Sequence, residues 1–279
     1  MKPGVGTAAL MAACLLAGWA ARADAVDPRA DRDAFRQYFQ SRFPGVALDD
    51  FANGPYAIDA GMRRQWQDIM QFPPYAFALD DGSAAFGTAF ADGGTYAACF
   101  PDLRHAAATY PRYDSAIGGV RTLGDALNAC RATHGAAPLA PDSDELLALT
   151  AYVADRARGT PLAVTVPDDP GARAAYAAGR AAFYAAGPTG ASCASCHMQG
   201  AGKVPGRATR APALGMFAAF PVYASGRGAM KSAARQIADC DVALGMPASP
   251  ADPARARDLE YFVATMSEGI RLAGPGARP

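Results

Sequence analysis

The sequence predicts a mainly α-helical protein made of two copies of one fold. Two observations support this: residues 110–159 align with residues 220–269 at a constant offset of 110 without a gap, and each copy ends in an amphipathic helical pattern. A third observation separates the copies, because residues 160–170 hold three prolines and several β-branched residues, which favour an extended linker.

The repeat is carried by residues of several chemical types, including a cysteine. An aromatic-Pro-x-Tyr sequence opens each copy, and identical glycines, a cysteine and an aspartate follow at matching positions. The matched pairs are Tyr110 and Phe220, Gly118 and Gly228, Cys130 and Cys240, Asp142 and Asp252, and Gly159 and Gly269. We therefore interpret the chain as an internal duplication.

The remaining elements follow from periodicity and from turn residues. Residues 27–50 have aromatic side chains at helical spacing and predict an amphipathic helix. Residues 51–100 are rich in glycine, proline and aromatics and predict irregular chain. Helices are predicted over about 143–158 and 253–268, each closed by glycine.

The domain division follows from the linker. We expect a first domain over residues 26–160, a linker over 161–170 and a second domain over 171–279. The second domain opens with a predicted helix over 169–184, which leads through a glycine-containing turn to a cysteine motif.

The N-terminus predicts an exported protein. Residues 1–25 combine Lys2, a short apolar run and small-residue sites ending at Ala23 and Ala25, the pattern of a cleaved secretory signal peptide. The apolar run is shorter than the roughly 18 residues that a membrane-spanning helix needs, and no later segment reaches that length. We expect a periplasmic protein in an oxidising compartment, where leftover cysteine pairs form disulfides.

Charge excludes two classes of partner. The chain has 26 basic and 26 acidic residues, so no excess of one sign favours nucleic acid or an anionic membrane surface. Hydrophobic residues make up 51% of the chain, which suffices for a large core.

The motif Cys193-Ala-Ser-Cys196-His197 is the attachment signature of a c-type haem. Its two thiols bond covalently to the porphyrin edge, and the adjacent His197 binds the iron. A redox C-x-x-C does not need the histidine, and a zinc site needs two further ligands nearby. The first copy lacks this motif and so cannot attach a haem covalently.

The second axial iron ligand is open at this point. Met198, Met230 and Met246 are available, as in an electron carrier, whereas Cys240 would supply a thiolate that lowers the reduction potential. We favour Cys240, because an exported chain has little reason to keep a single thiol and because Cys130 occupies the matching position. Cys99 and Cys130 remain as a possible disulfide pair, and His105 and His134 are interpreted as structural.

The chain resembles the SoxA family of bacterial thiosulfate-oxidising cytochromes, in its single-haem form. The residues that carry the likeness are 110–114, 127–131, 145–153, 158–161, 192–197, 220–223 and 235–240. The resemblance implies two cytochrome c-like domains, the first without haem. It implies a haem on Cys193 and Cys196 with His197 and Cys240 as axial ligands, and a Cys99–Cys130 disulfide in place of the first haem. It also implies that Cys240 is the catalytic cysteine, a residue that is commonly found as a persulfide in the family.

The resemblance also implies a reaction and its partners. Thiosulfate is joined oxidatively to a cysteine of the carrier protein SoxYZ, as an L-cysteine S-thiosulfotransferase does, and two electrons pass through the haem to the cytochrome SoxX. The family has an arginine four residues before its catalytic cysteine, where this chain has Gln236. We assign the substrate-binding cation to Arg235, with Arg227, Lys231 and Arg210 as alternatives.

Three other functions are compatible with parts of the sequence. A plain electron carrier would use His197 with a methionine and would not need Cys240. A thiosulfate dehydrogenase that forms tetrathionate would be expected to carry two haems, whereas the sequence has one C-x-x-C-H motif. A divergent scaffolding subunit would explain Gln236.

Overall fold

The computed structural model describes residues 26–206, 209–247 and 253–279, so the predicted signal peptide lies outside the described residues. Eleven α-helices occur in the described part of the chain. They are α1 Pro28–Arg42, α2 Pro55–Ile58, α3 Ala60–Ile69, α4 Ala76–Gly87, α5 Tyr96–Cys99, α6 Leu103–Ala106, α7 Leu123–Thr133, α8 Asp144–Arg156, α9 Pro170–Tyr184, α10 Ala233–Ala243 and α11 Pro253–Met266. None of the helices in these ranges is long and apolar enough to cross a membrane.

Helix α1 is shorter than the predicted helix over residues 27–50. It begins with Asp27 as N-cap, whose side chain accepts the amide hydrogens of residues 29 and 30, and it ends at Arg42. Pro44 and Gly45 follow, and a separate 3₁₀ turn covers Leu48–Asn53, because proline disfavours the helical conformation of the residue before it.

Helix α1 packs against the second half of the chain. The Phe35 ring lies 6.0 Å from that of Phe183 and 6.4 Å from that of Phe262, and the Tyr176 hydroxyl donates to Asp31 at 2.9 Å. The predicted first domain therefore begins with a helix that completes the core of the second half.

The prediction of irregular chain over residues 51–100 was wrong. This region contains α2 to α5, and α4 packs along α8 more extensively than any other pair of described helices. The contact depends on Gly82, where an added Cβ would lie 2.1 Å from the backbone oxygen of Ala148. Such a glycine permits close helix packing, which the weak periodicity of the segment does not reveal.

The second half repeats this helix pair. Helix α9 packs on α11, and a Cβ at Gly179 would lie 1.9 Å from the backbone oxygen of Asp258, which is 110 residues after Ala148. The predicted helices over 143–158, 169–184 and 253–268 are confirmed by α8, α9 and α11, with Ser143 and Asp169 as N-caps.

A short hairpin precedes the cysteine-bearing helix in each half. Strands β1 Arg112–Asp114 and β2 Gly119–Arg121 pair antiparallel, as do β3 Val222–Ala224 and β4 Ala229–Lys231 in the same register. A cis peptide bond lies before Pro111 and before Pro221. Strand β5, residues Gly276–Arg278, adds to β3 in parallel. The structural elements thus recur at the offset found in the sequence.

The linker pairs with the segment that follows α11. Pro161 forms an antiparallel bridge with Arg271, 110 residues later, and Leu162 donates its amide hydrogen to the Ile270 carbonyl at 2.9 Å. The linker is extended up to the start of α9 at Pro170, as its prolines predict. The two halves are therefore joined by a contact between equivalent segments.

Candidate active site

The Cys193–His197 segment forms a compact turn held by two serines. The Ser192 amide donates to Ser195 Oγ at 2.8 Å, and the Ser195 amide donates to Ser192 Oγ at 3.0 Å. A wide π-helical turn over Ser195–Gln199 follows. These reciprocal hydrogen bonds hold both cysteines and the histidine on consecutive turns of one short segment.

The His197 ring is oriented by the backbone. Its Nδ1 lies 3.0 Å from the carbonyl oxygen of Ala211, which accepts a hydrogen bond, so Nε2 carries the free lone pair. Burial lowers the pKa of His197, which favours the neutral imidazole that metal binding requires.

Cys240 lies in the last turns of α10, whose N-cap Ser232 accepts the amide hydrogen of Arg235. The half-buried Cys240 sulfur accepts a hydrogen bond from Gln236 Nε2 at 3.2 Å. Burial raises the pKa of the thiol, while Gln236 and the positive charge of Lys231 act against that rise. The surroundings therefore supply two groups that stabilise the thiolate.

The three free cysteines form one site. Burial, and then the charge of Cys240, raises the pKa of Cys193 to about 11. Two thiols three residues apart and a neutral histidine with Nε2 available are the groups that attach a c-type haem, and Cys240 adds a third sulfur that can bind iron. These residues fit the group implied by the motif.

The first half has a disulfide at the corresponding place. Cys99 at the end of α5 and Cys130 in α7 are bonded, as the resemblance implies. His134 lies at the end of α7, with Nδ1 2.7 Å from Asp92 and its ring stacked on Phe90. A covalent bridge thus joins α5 to α7 in the half that lacks the C-x-x-C-H motif.

Asp239 organises the charges beside Cys240. Its carboxylate contacts Lys231 Nζ at 2.7 Å, Arg235 Nε at 3.1 Å and Arg227 Nη1 at 3.4 Å. Burial alone would raise the pKa of Asp239, but the three cations lower it overall. The three cations and the one carboxylate together carry a net charge of +2.

Arg235 is not brought to the thiol as the sequence analysis expected. It is exposed on α10, pairs with Asp239 and lines a cavity on the other side of the helix. Residues five apart lie about 140° apart around a helix, which explains this placement. Lys231, an alternative in the sequence analysis, is the cation that acts on the Cys240 thiol.

The cavity lined by Arg235 lies between the two halves and has a volume of about 510 Å³. Residues of both halves line it, including Pro111 and Pro221. Its wall contains the Asp125–Arg257 ion pair, with Nε to Oδ2 at 2.8 Å, and the half-buried carboxyl of Glu260. Burial, and then the charge of Asp125, raises the pKa of Glu260 to about 8.

We expect Glu260 to make the folded protein less stable as pH rises. Its folded-state pKa exceeds the unfolded value of about 4.3, so its contribution is present in full below pH ~4 and is lost as pH rises toward 8. In urea unfolding of the holoprotein, Glu260→Gln should lose less stability between pH 5 and pH 8 than the unsubstituted chain. Glu145→Gln, at an exposed position on α8, is the matched control. Equal pH dependence in all three proteins would contradict this prediction.

Known proteins are similar in sequence to this chain over most of its length. It is 41% identical over 256 residues to the L-cysteine S-thiosulfotransferase subunit SoxA of Allochromatium vinosum, covering 91% of each protein. The chain belongs to the SoxA family. The subunit SoxA of Chlorobaculum thiosulfatiphilum is 37% identical over 250 residues, covering 89% of this chain and 87% of that protein.

A family model agrees with this membership, and a solved structure agrees with the fold. The model described as the SoxA/TsdA cytochrome c domain matches residues 81–162, in the half without the C-x-x-C-H motif. The crystal structure of SoxXA from P. pantotrophus superposes with a TM-score of 0.70, covering 80% of this chain and 86% of that chain at 21% identity. The predicted cytochrome c-like, mainly α-helical fold is confirmed.

The sequence analysis underestimated two features of the site. Lys231 carries no recognisable motif, and its contact with Asp239 depends on how the β3–β4 hairpin leads into α10. The second feature is that α10 has two different faces. One face carries Gln236 and Cys240, and the other lines the cavity. Helical spacing was the available signal, since residues 235, 238, 239 and 242 line the cavity and lie on one face of α10.

Proposed function

We propose that this chain catalyses the oxidative joining of thiosulfate to a cysteine thiol of a SoxYZ-type sulfur carrier. Relatives with 37–41% identity over most of their length bear the name L-cysteine S-thiosulfotransferase subunit SoxA, which supports the assignment. The observation that carries it is the Cys240 sulfur next to the C-x-x-C-H turn, with Gln236 donating to that sulfur.

The reaction forms one sulfur–sulfur bond. A carrier thiol and thiosulfate give a carrier S–S–SO₃⁻ group, with release of one proton and two electrons. Cys240 would serve as the sulfur transfer point, because a thiolate is the nucleophilic form of cysteine. The Gln236 amide and the charge of Lys231 would stabilise that thiolate and its developing anionic neighbours.

Cys193 and Cys196 would hold a c-type haem covalently, and His197 and Cys240 would bind its iron. When bound, this group supplies one-electron redox chemistry at a potential set by its axial ligands. The Ala211 carbonyl would fix the tautomer and orientation of His197. The Ser192–Ser195 hydrogen bonds would hold both cysteines in place during attachment.

The partners and the compartment complete the proposal. The two electrons would leave to a small SoxX-type c-type cytochrome that forms a heterodimer with this chain, and the protein would act in the periplasm after removal of residues 1–25. Residues 26–160 and 171–279 would be duplicated cytochrome c-like domains joined by the linker over 161–170. The first domain would keep the fold without a haem.

The test is reconstitution from purified components. The haem-loaded chain, a SoxX-type cytochrome, a reduced carrier protein and thiosulfate should yield a carrier cysteine with one added S₂O₃ group, measured by mass spectrometry. Two reduced equivalents of acceptor should appear for each modified carrier. Acceptor reduction that yields tetrathionate without carrier modification would instead identify a thiosulfate dehydrogenase. If neither product forms, the proposal is overturned.

A further inference from the structure

We propose that Lys231, positioned by Asp239, is the site that binds the dianionic substrate next to Cys240. The inference rests on the proposed function, since it names the residue that recognises thiosulfate. In the family, an arginine four residues before the catalytic cysteine provides a positive charge, and this chain has Gln236 there. We assign that charge to Lys231, which ends strand β4.

The position of Lys231 is unusual for a lysine. Its side chain is only 10% exposed, whereas lysine side chains are rarely buried without a partner. Lys231 ends β4 directly before the N-cap of α10, and its Nζ contacts Asp239, the residue before Cys240. A buried ammonium held at one point is pre-organised to receive an anion.

The surrounding charges favour an anion over a cation. Asp239 is shared by Lys231, Arg235 and Arg227, so one carboxylate faces three cations. Among the described residues, the Gln236 amide donates a hydrogen bond to the Cys240 sulfur, and this amide carries no charge of its own. Of these three cations, Lys231 is the buried one, and its ammonium contacts the carboxylate of the residue directly before Cys240.

The first half provides an internal comparison. Its equivalent of Lys231 is Arg121, which pairs at 2.7 Å with Asp114 of its own hairpin. Alanines occupy the equivalents of Asp239 and Gln236, at positions 129 and 126. The shared fold does not require a buried lysine paired with a helix carboxylate, and the arrangement occurs in the half that has the free thiol.

Steady-state kinetics of the reconstituted system test this assignment. Lys231→Met should raise the KM for thiosulfate roughly 10- to 100-fold, the factor expected for one charge-assisted contact, and should change kcat much less. Lys231→Arg should restore most of the affinity. Asp239→Asn, which releases the ammonium, should raise KM by a smaller factor. Lys203→Met removes the same charge from an exposed loop and should match the unsubstituted protein.

Calorimetric titration with thiosulfate, in the absence of carrier, separates binding from turnover. Unsubstituted protein should bind thiosulfate, and Lys231→Met should bind it correspondingly more weakly. Unchanged KM and affinity in Lys231→Met, or a KM increase confined to Arg235→Met, would overturn the inference while leaving the proposed function intact. Failure of the unsubstituted protein to modify the carrier would reject the proposed function instead.

Discussion

Replacing Cys240 with serine is expected to lower kcat/KM for thiosulfate by about 10³-fold or more, because a hydroxyl is a far weaker sulfur-transfer group than a thiolate. Serine has nearly the same volume and still accepts the Gln236 hydrogen bond, so the substituted holoprotein should fold, with a lower free energy of unfolding because the bond from Cys240 to iron is lost. Carrier modification and acceptor reduction measure the first quantity, and urea unfolding of the holoprotein measures the second.

The control for Cys240 comes from the first half. The double substitution Cys99→Ser and Cys130→Ser removes sulfur atoms from the equivalent region and should reduce stability without abolishing turnover. A paramagnetic resonance spectrum of oxidised Cys240→Met should lose the low-spin signature of thiolate ligation. An unchanged spectrum together with unchanged activity would support a His/Met electron carrier and reject Cys240 as the reactive group.

Adding one methyl group at Gly82 or Gly179 should destabilise the corresponding half by about 3 kcal/mol or more, the upper range for overpacking a core. The added Cβ would lie 2.1 Å from the Ala148 oxygen or 1.9 Å from the Asp258 oxygen. Because both obstacles are backbone atoms of a facing helix, the two helices would have to separate. Urea unfolding of Gly82→Ala and Gly179→Ala measures the loss.

Gly87 offers a matched control in the same helix as Gly82. A Cβ there meets no atom of the described residues within 4 Å. Gly87→Ala should therefore be neutral, or stabilising by up to about 1 kcal/mol through helix propensity. Equal stability of Gly82→Ala and Gly87→Ala would show that the α4–α8 contact tolerates a wider spacing.

The helices that carry strong periodicity were predictable, whereas those that depend on close contacts were not. The N-caps Ser143 and Asp169 and the prolines of the linker are local signals, and α8 and α9 begin where these signals indicate. Helix α4 has no such signal, because its apolar residues are not confined to one face and Gly82 lowers the intrinsic helix propensity of the segment. The close contact with α8 that Gly82 permits exists only in the folded structure. The β-hairpins were missed because three-residue strands are too short for alternation to be recognised.

The sequence by itself determined the chemistry available to this protein: the C-x-x-C-H attachment motif, a further cysteine in each repeat, and the repeat that relates them. Only the tertiary structure decided which charges meet that chemistry. Lys231 and Asp239 are eight residues apart and belong to different elements, and their contact exists because a hairpin turns directly into α10. Spacing along the chain fixes covalent and helical neighbours, whereas electrostatic neighbours depend on packing between elements.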